Sequence, residues 1–256
     1  MKIGLFVKDE LIDSDIPTLI VSKISEYGFT FDQEHPEVVI FVGGDGTFLR
    51  AVHTYIEDID NILFVGINKG SLGFYTDFSL EDIDNILISL SNDEFNLHSF
   101  RILEGTINSD KIYAVNEIRI ENPFHTLNAK VYIDDEEFET FRGNGLCVCS
   151  SLGSSAYNKS LGGSVVLPQL ETLQLTEIAP INNRLYNSLG SSLVLSKDSK
   201  IMLTGDFEEI VVGYDHLTFS ETSDCLLIKL SDKRVNVIYK NTHSFIAHLR
   251  EAFNND

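Results

Sequence analysis

Hydrophobic positions change period along this chain, and the change divides it. Residues 2–7 (KIGLFV), 37–42 (EVVIFV) and 61–67 (NILFVGI) are short, nearly continuous apolar runs. Runs of that length read as strands buried on both faces. Between them, DIPTLIVSKISEYG at 15–28 and TFLRAVHTYI at 47–56 place their apolar residues at helical spacing. Gly28 stops the first of these helices, and Phe48, Val52 and Tyr55 share one side of the second. Ser79 with Asp82 makes a capping box for a further helix through DIDNILISL. Strands alternating with helices predict an α/β N-terminal domain with a mostly parallel sheet over residues 1–98.

Near residue 98 the pattern becomes a series of short alternating runs separated by Asn, Asp and Gly. They are FRILEGTI, KIYAVNEIRI, NAKVYIDD, EEFETF and GLCVCS, then SLVLS, KIMLTG, EIVVGY, HLTFS and CLLIKL. This predicts a β-rich C-terminal domain over 99–235, interrupted by a Gly/Ser-rich stretch at 153–164. The final segment, 236–256, returns to helical spacing in THSFIAHLREAF and is expected to pack back on the first domain. His216, in YDHLTF, reads as a strand histidine facing the core.

Charge narrows the partners. With 39 acidic against 19 basic residues the net charge is −20, which opposes binding to nucleic acid or to a membrane surface. A small anionic ligand remains compatible if backbone N–H groups or a few local cations receive it. No apolar run is long enough to span a bilayer, and MKIGLFV runs into acidic residues with no secretory cleavage pattern, so a cytoplasmic protein is expected. Cys147 and Cys149 lack C-x-x-C spacing and would share one face of a strand, where they read as small buried hydrophobes.

Candidate chemistry concentrates at FVGGDGTFLRAV, residues 41–52. Gly43, Gly44 and Gly46 lie where a strand hands the chain to a helix, a place suited to an anion. The spacing is neither that of a Walker A loop nor that of a dinucleotide fingerprint. Asp45 then has two readings, a proton acceptor for an alcohol being phosphorylated or a cap for the following helix. The next such junction, GINKGSLGFYTDF at 66–78, carries Gly70, Gly73 and the pair Phe74–Tyr75. An aromatic there either covers a planar base or belongs to the core.

Further along, Asn116 and Glu117 stand inside an alternating strand, YAVNEIRI, where an amide beside a carboxylate suits two sugar hydroxyls. FRGNGLCVCSSLGSSAYNKSLGGSVVLP at 141–168 gathers Gly153, Ser154, Ser155, Ala156 and Tyr157, with Arg142 and Lys159 as local cations. Small residues let a ligand press against backbone.

GGDGT (43–47), NKGSLGF (68–74), NE (116–117), FRGNGL (141–146), GSSAYNKSLGG (153–163) and TEIAPINNR (176–184), in this order, resemble the bacterial NAD kinase family. The resemblance implies an α/β domain, a β-rich domain and a site between them, where ATP and a divalent ion such as Mg²⁺ phosphorylate the 2'-hydroxyl of NAD's adenosine ribose. It implies Asp45 as proton acceptor, Gly44 and Gly46 in the phosphate loop, and Arg50 near the nucleotide phosphates. It implies Phe74 over the adenine, Asn116 and Glu117 on NAD, and Ser155, Ala156, Tyr157, Lys159 and Ser160 around the dinucleotide. Ala179 would line the same pocket, with Arg142 and Asn144 toward the nicotinamide, and the family forms homodimers and homotetramers. The metal is expected to arrive with ATP, without a dedicated ligand cluster.

The chain departs from the family pattern at Asn144, where an aspartate is usual, at CSSLGSSAY (149–157), which lacks the usual proline, and at Ser71. Two alternatives stand beside the NAD kinase reading. One is a lipid kinase of the diacylglycerol or sphingosine type, and the other is an NAD-binding sensor without catalysis.

Overall fold

The computed structural model describes residues 1–69, 73–207, 209–219 and 223–253. Gly70, Ser71 and Leu72, part of the expected second ligand loop, lie outside these. The chain forms two units, Met1–Ser99 with Arg234–Asp256, and Phe100–Lys233.

The first unit opens with β1 (Lys2–Val7), α1 (Asp15–Glu26), β2 (Thr30–Phe31), β3 (Val38–Val42), α2 (Asp45–Thr54), β4 (Leu63–Ile67) and α3 (Ile83–Asn92). The strands are parallel, in the order β2-β1-β3-β4. All five residues of β3 are buried, as a central parallel strand requires. One face of the sheet packs Ile16, Ile20 and Ile24 of α1 and Ile83, Ile86, Leu87 and Leu90 of α3 against Ile3, Ile40 and Val65. On α2, Phe48 sits 5.3 Å from Phe41 and 5.7 Å from Phe64 between ring centroids, and it stacks on Tyr75 at 4.1 Å. Burying a ring such as Phe48 contributes about 1.5–3 kcal/mol, so this cluster fixes how α2 leaves β3. Ser79 and Asp82 form the expected capping box, which opens a short 3₁₀ turn that runs into α3.

Then follow β5 (Asn96–Ile107), β6 (Asp110–Ala114), β7 (Glu117–Glu121), β8 (Leu127–Ile133), β9 (Glu136–Gly143), β10 (Gly145–Ser150), α4 (Tyr157–Ser160), β11 (Leu173–Ile178), β12 (Leu193–Leu195), β13 (Lys200–Thr204), β14 (Val211–Tyr214), β15 (Leu217–Phe219), β16 (Cys225–Tyr239) and α5 (Phe245–Phe253). In the second unit one antiparallel sheet runs β12-β11-β10-β7-β14-β15. The other includes β9, β8, β13 and the first half of β16, with β5 and β6 paired. Ile118, Ile120, Leu146 and Val148 from the first sheet meet Leu103, Phe141, Leu203 and Ile228 from the second in one core.

The last residues of β16 return to the first unit, where Asn236–Ile238 pair in parallel with Leu63–Val65 of β4. The terminal helix α5 follows and belongs to that unit.

Two local expectations change. The run YAVNEIRI is not one strand, because it breaks at Val115–Asn116 between β6 and β7. His216 is exposed in the turn between β14 and β15 rather than facing the core. Its neighbour Asp215 has φ +47°, a conformation that turns favour and strands do not.

Candidate active site

The corner between β3 and α2 is anchored at both ends. Lys8 N–H donates to Val42 O at 2.9 Å, and Gly43 N–H to Ile67 O at 3.0 Å. Gly44 is the N-cap of α2, so Asp45 is its first residue. A Cβ at Gly43 would run into the Thr47 side chain, whereas at Gly44 and Gly46 it would meet nothing within 4 Å. The glycine at 43 serves the turn, and those at 44 and 46 leave open backbone beside the helix N-terminus, where an anion is favoured.

Asp45 does not cap its own helix. Its carboxylate reaches the loop after β4, where Oδ2 accepts from Phe74 N–H at 3.2 Å and Oδ1 from Tyr75 N–H at 3.1 Å. That loop is held in turn by Gly73 N–H donating to Thr76 Oγ1 at 2.9 Å and by Tyr239 O–H donating to Phe74 O at 3.2 Å. Burial raises the Asp45 pKa above the usual carboxylate value, and the two amides and nearby His248 only partly oppose it. A half-buried carboxylate of raised basicity is equipped to take a proton.

The two members of the Phe74–Tyr75 pair differ in burial. Tyr75 is buried on Phe48 as core. Phe74 is half-buried and lies against α5, 5.6 Å from Phe245 and 6.3 Å from Phe253. Arg50 is engaged at the end of β1, donating to Asp9 Oδ1 at 2.6 Å and Val7 O at 3.4 Å, so its guanidinium here serves strand and helix rather than standing free at the corner.

In the second unit, Glu117, Arg119, Glu121, Tyr157 and Asp215 line a cleft of about 420 Å³. Strand register sets its layout, with Glu117 opposite Cys149 and Glu121 opposite Gly145 on β10. Glu117 is buried, and its Oε2 has no hydrogen-bond partner among the described residues, while Oε1 lies 3.4 Å from Arg119 Nη1. Desolvation and the neighbouring Asp215 push its pKa up to about 7, against the pull of Arg119. An orphaned, buried acceptor facing a cleft is a place for a ligand hydroxyl.

Asp215 is a residue that sequence reasoning missed. Its carboxylate accepts from Val115 N–H at 2.8 Å and Asn116 N–H at 2.7 Å, clasping the break that presents Asn116 and Glu117. Only the Y-D-H turn chemistry in the sequence hinted at it.

The Gly/Ser stretch forms a 3₁₀ turn over Leu152–Ser155 followed by α4. Gly153 presses so closely on Asn116 backbone that no Cβ fits. Ser155, Ala156 and Tyr157 are half-buried, Lys159 and Ser160 exposed. Between them Asn158 is fully buried and spent on the fold, accepting from Thr176 Oγ1 at 2.7 Å and donating to Ser154 O at 3.3 Å. Tyr157 O–H reaches Glu121 at 3.4 Å, and Arg119 lies over its ring.

Arg142, Asn144 and Ala179 come together at the far end of β10. Asn144 N–H donates to Ile178 O at 3.0 Å, Ile181 N–H to Arg142 O at 2.7 Å, and Ala179 takes a left-handed φ of +44°. Arg142 lies 4.1 Å over the Tyr186 ring, and the exposed Asn144 amide donates to Asn122 O at 3.4 Å. Cys147 and Cys149 are buried free thiols with raised pKa values, which fits small hydrophobes.

Comparison with known proteins gives the family and the fold. The profile of the ATP-NAD kinase N-terminal domain matches residues 5–95, and that of the C-terminal domain residues 115–240. An NAD kinase of Latilactobacillus sakei is 38% identical over 99% of this chain and 97% of its own length. One from Leuconostoc citreum is 38% identical over 100% and 99%. Among solved structures, an NAD kinase from Archaeoglobus fulgidus in complex with ATP superposes with a TM-score of 0.81 at 21% identity, covering 98% of this chain and 99% of that one. Yeast NADH kinase complexed with NADH gives 0.82 at 18% identity, covering 100% and 89%, and both show the shared fold. The chain belongs to the ATP-NAD kinase family.

Proposed function

We propose that Asp45 is the proton acceptor when this enzyme transfers the γ-phosphoryl group of ATP to the 2'-hydroxyl of NAD's adenosine ribose, giving NADP. The observation that carries the assignment is a half-buried carboxylate of raised basicity, held by two backbone amides beside open glycine backbone at a helix N-terminus. The hydroxyl proton must leave as the phosphoryl group arrives, and a base held at fixed orientation takes it without reorganisation. Most of the barrier reduction comes from positioning and charge neutralisation.

The residues of the second unit bind NAD. The orphaned Oε2 of Glu117 and the Asn116 side chain accept and donate to the sugar, and Ser155, Ala156, Tyr157, Lys159 and Ser160 surround the dinucleotide. Phe74 covers the adenine, Ala179 lines the pocket, and Arg142 and Asn144 serve the nicotinamide end. The divalent ion enters as part of the ATP complex. Held by the ATP phosphates, the ion would supply neutralisation of phosphate charge.

A coupled assay of NADP formation from NAD, ATP and Mg²⁺, run on the wild type and Asp45→Asn, tests the assignment. NADP from the wild type alone, with NAD binding kept by the variant, supports it. NAD binding without turnover in both would favour the sensor reading.

A cytoplasmic setting is supported by the buried free thiols, and a homodimer or homotetramer by exposed apolar side chains such as Phe124 at 85% and Leu185 at 82%. Light scattering on the eluting protein reads the assembly directly.

A further inference from the structure

A second constellation lies in the first unit, beside the loop that holds Asp45. Asp77 follows the loop that holds Asp45, while His243 and His248 stand just before and within α5. The side chains of Asp77, His243 and His248 are 9%, 8% and 6% exposed. His248 Nε2 is 3.2 Å from Asp77 Oδ1, and His243 Nδ1 is 3.4 Å from Asp77 Oδ2. One ligand atom from each residue lies within 4.8 Å of the other two.

We propose that Asp77, His243 and His248 bind one transition-metal ion of the zinc class, which fastens α5 to the Gly73–Asp77 loop. Charge-assisted hydrogen bonds run at about 2.7–2.9 Å, and both His–Asp separations exceed that. The 3.2 Å contact of His248 with Asp77 is a hydrogen bond without an ion, and both separations, one to each carboxylate oxygen, also lie near the edge of about 3.3 Å of a tetrahedron around an ion with bonds of 2.0–2.1 Å. His243 Nδ1, buried and aimed at the carboxylate, makes no hydrogen bond among the described residues. Two imidazoles and one carboxylate select zinc, cobalt or nickel rather than magnesium, whose ligands are oxygens. The surroundings hold the ligands still. Tyr239 stacks on His243 at 3.8 Å between centroids, His98 meets His243 edge-on at 5.7 Å, and Lys240 N–H donates to Asp77 Oδ2 at 2.8 Å. Three protein ligands leave a fourth position for water or an anion.

The consequence is local. The ion closes a loop between residues 77 and 248, clamping Phe245 and Phe253 over Phe74. It stabilises the first unit.

The test uses the full-length, untagged protein, stripped with chelator and passed over a desalting column. Zn²⁺ titration by calorimetry is expected to give one site per chain at micromolar Kd or tighter, and Co²⁺ to give the visible absorption of a four- or five-coordinate ion. Melting temperature should rise on adding Zn²⁺. His248→Gln and His243→Asn should each weaken the site at least tenfold and lose the Co²⁺ spectrum, while exposed His35→Gln leaves it intact. Each variant is first melted without metal, and Asp77→Asn provides a third, near-isosteric probe should a histidine variant fail to fold. Absence of stoichiometric uptake by the wild type, or uptake retained in all three variants, overturns the proposal and leaves a hydrogen-bonded cluster alone.

Discussion

Gly73 stands where a Cβ would press on Oδ1 of Asp45. The glycine and the carboxylate are 28 positions apart in the chain, yet the missing side chain of one gives the other its place. Gly73→Ala should therefore displace the base while sparing the core. Overpacking of this kind costs about 1–3 kcal/mol, so a fall in kcat of tenfold or more is expected, with KM for NAD little changed. Steady-state kinetics beside a melting curve separate this from global loss of structure.

Asp45→Asn removes the proton acceptor and sets an amide NH₂ against Phe74 or Tyr75 N–H. A loss in kcat of about 10²–10⁴-fold is expected, the range of general-base contributions. Binding of NAD, followed by calorimetry, should persist.

The activity should carry an acid limb belonging to Asp45. Only the ionised carboxylate accepts a proton, and burial raises its pKa. Activity therefore falls as pH drops through a value above the ordinary carboxylate range. A kcat–pH profile whose limb sits at or below that ordinary range would contradict the assignment.

Glu117 makes a separate pH prediction, read in stability. Its folded pKa of about 7 lies above the ordinary value of 4.5, so folding favours the protonated form. Below pH 4.5 both states are protonated and nothing is lost. The penalty grows as pH rises toward 7 and is complete above it, at most about 3 kcal/mol for a shift of that size. Glu117→Gln should thus gain about 2–3 kcal/mol on the wild type between pH 4.5 and pH 8.5, measured by denaturant unfolding.

Asp215→Asn tests the clasp beneath the cleft. One amide N–H at Val115 or Asn116 then faces a donor, costing about 1–3 kcal/mol. KM for NAD should rise several-fold, because Asn116 and Glu117 are presented by that turn, while kcat is affected less.

Much of this was legible in order along the chain. The parallel strands, the capping box at Ser79 and the glycine corner at 43–46 are local signals, set by period and by turn chemistry. What escaped depended on contacts between distant residues. The partners of Asp45 are amides near residue 75, and a backbone N–H leaves no mark in composition. The strand break at Val115–Asn116 is enforced from Asp215, about a hundred residues later. Arg50 looked free for phosphate until Asp9 came beside it. His243 and His248 have spacing that signals nothing until α5 brings them to Asp77, whereas His216, the histidine that stood out in a strand-like run, lies in a turn.

The return of β16 to β4 gives the molecule an order of assembly. Residues 236–238 supply the pairing partner along one edge of β4, and they leave the ribosome long after it. Until then β4 offers open N–H and C=O groups on an apolar strand, the kind of edge that recruits other chains. The first unit is thus begun before the second and completed after it. A nascent chain halted before residue 236 should be a client for chaperones, and truncation of the C-terminus should lower soluble yield even though every residue of the GGDGT corner is already present.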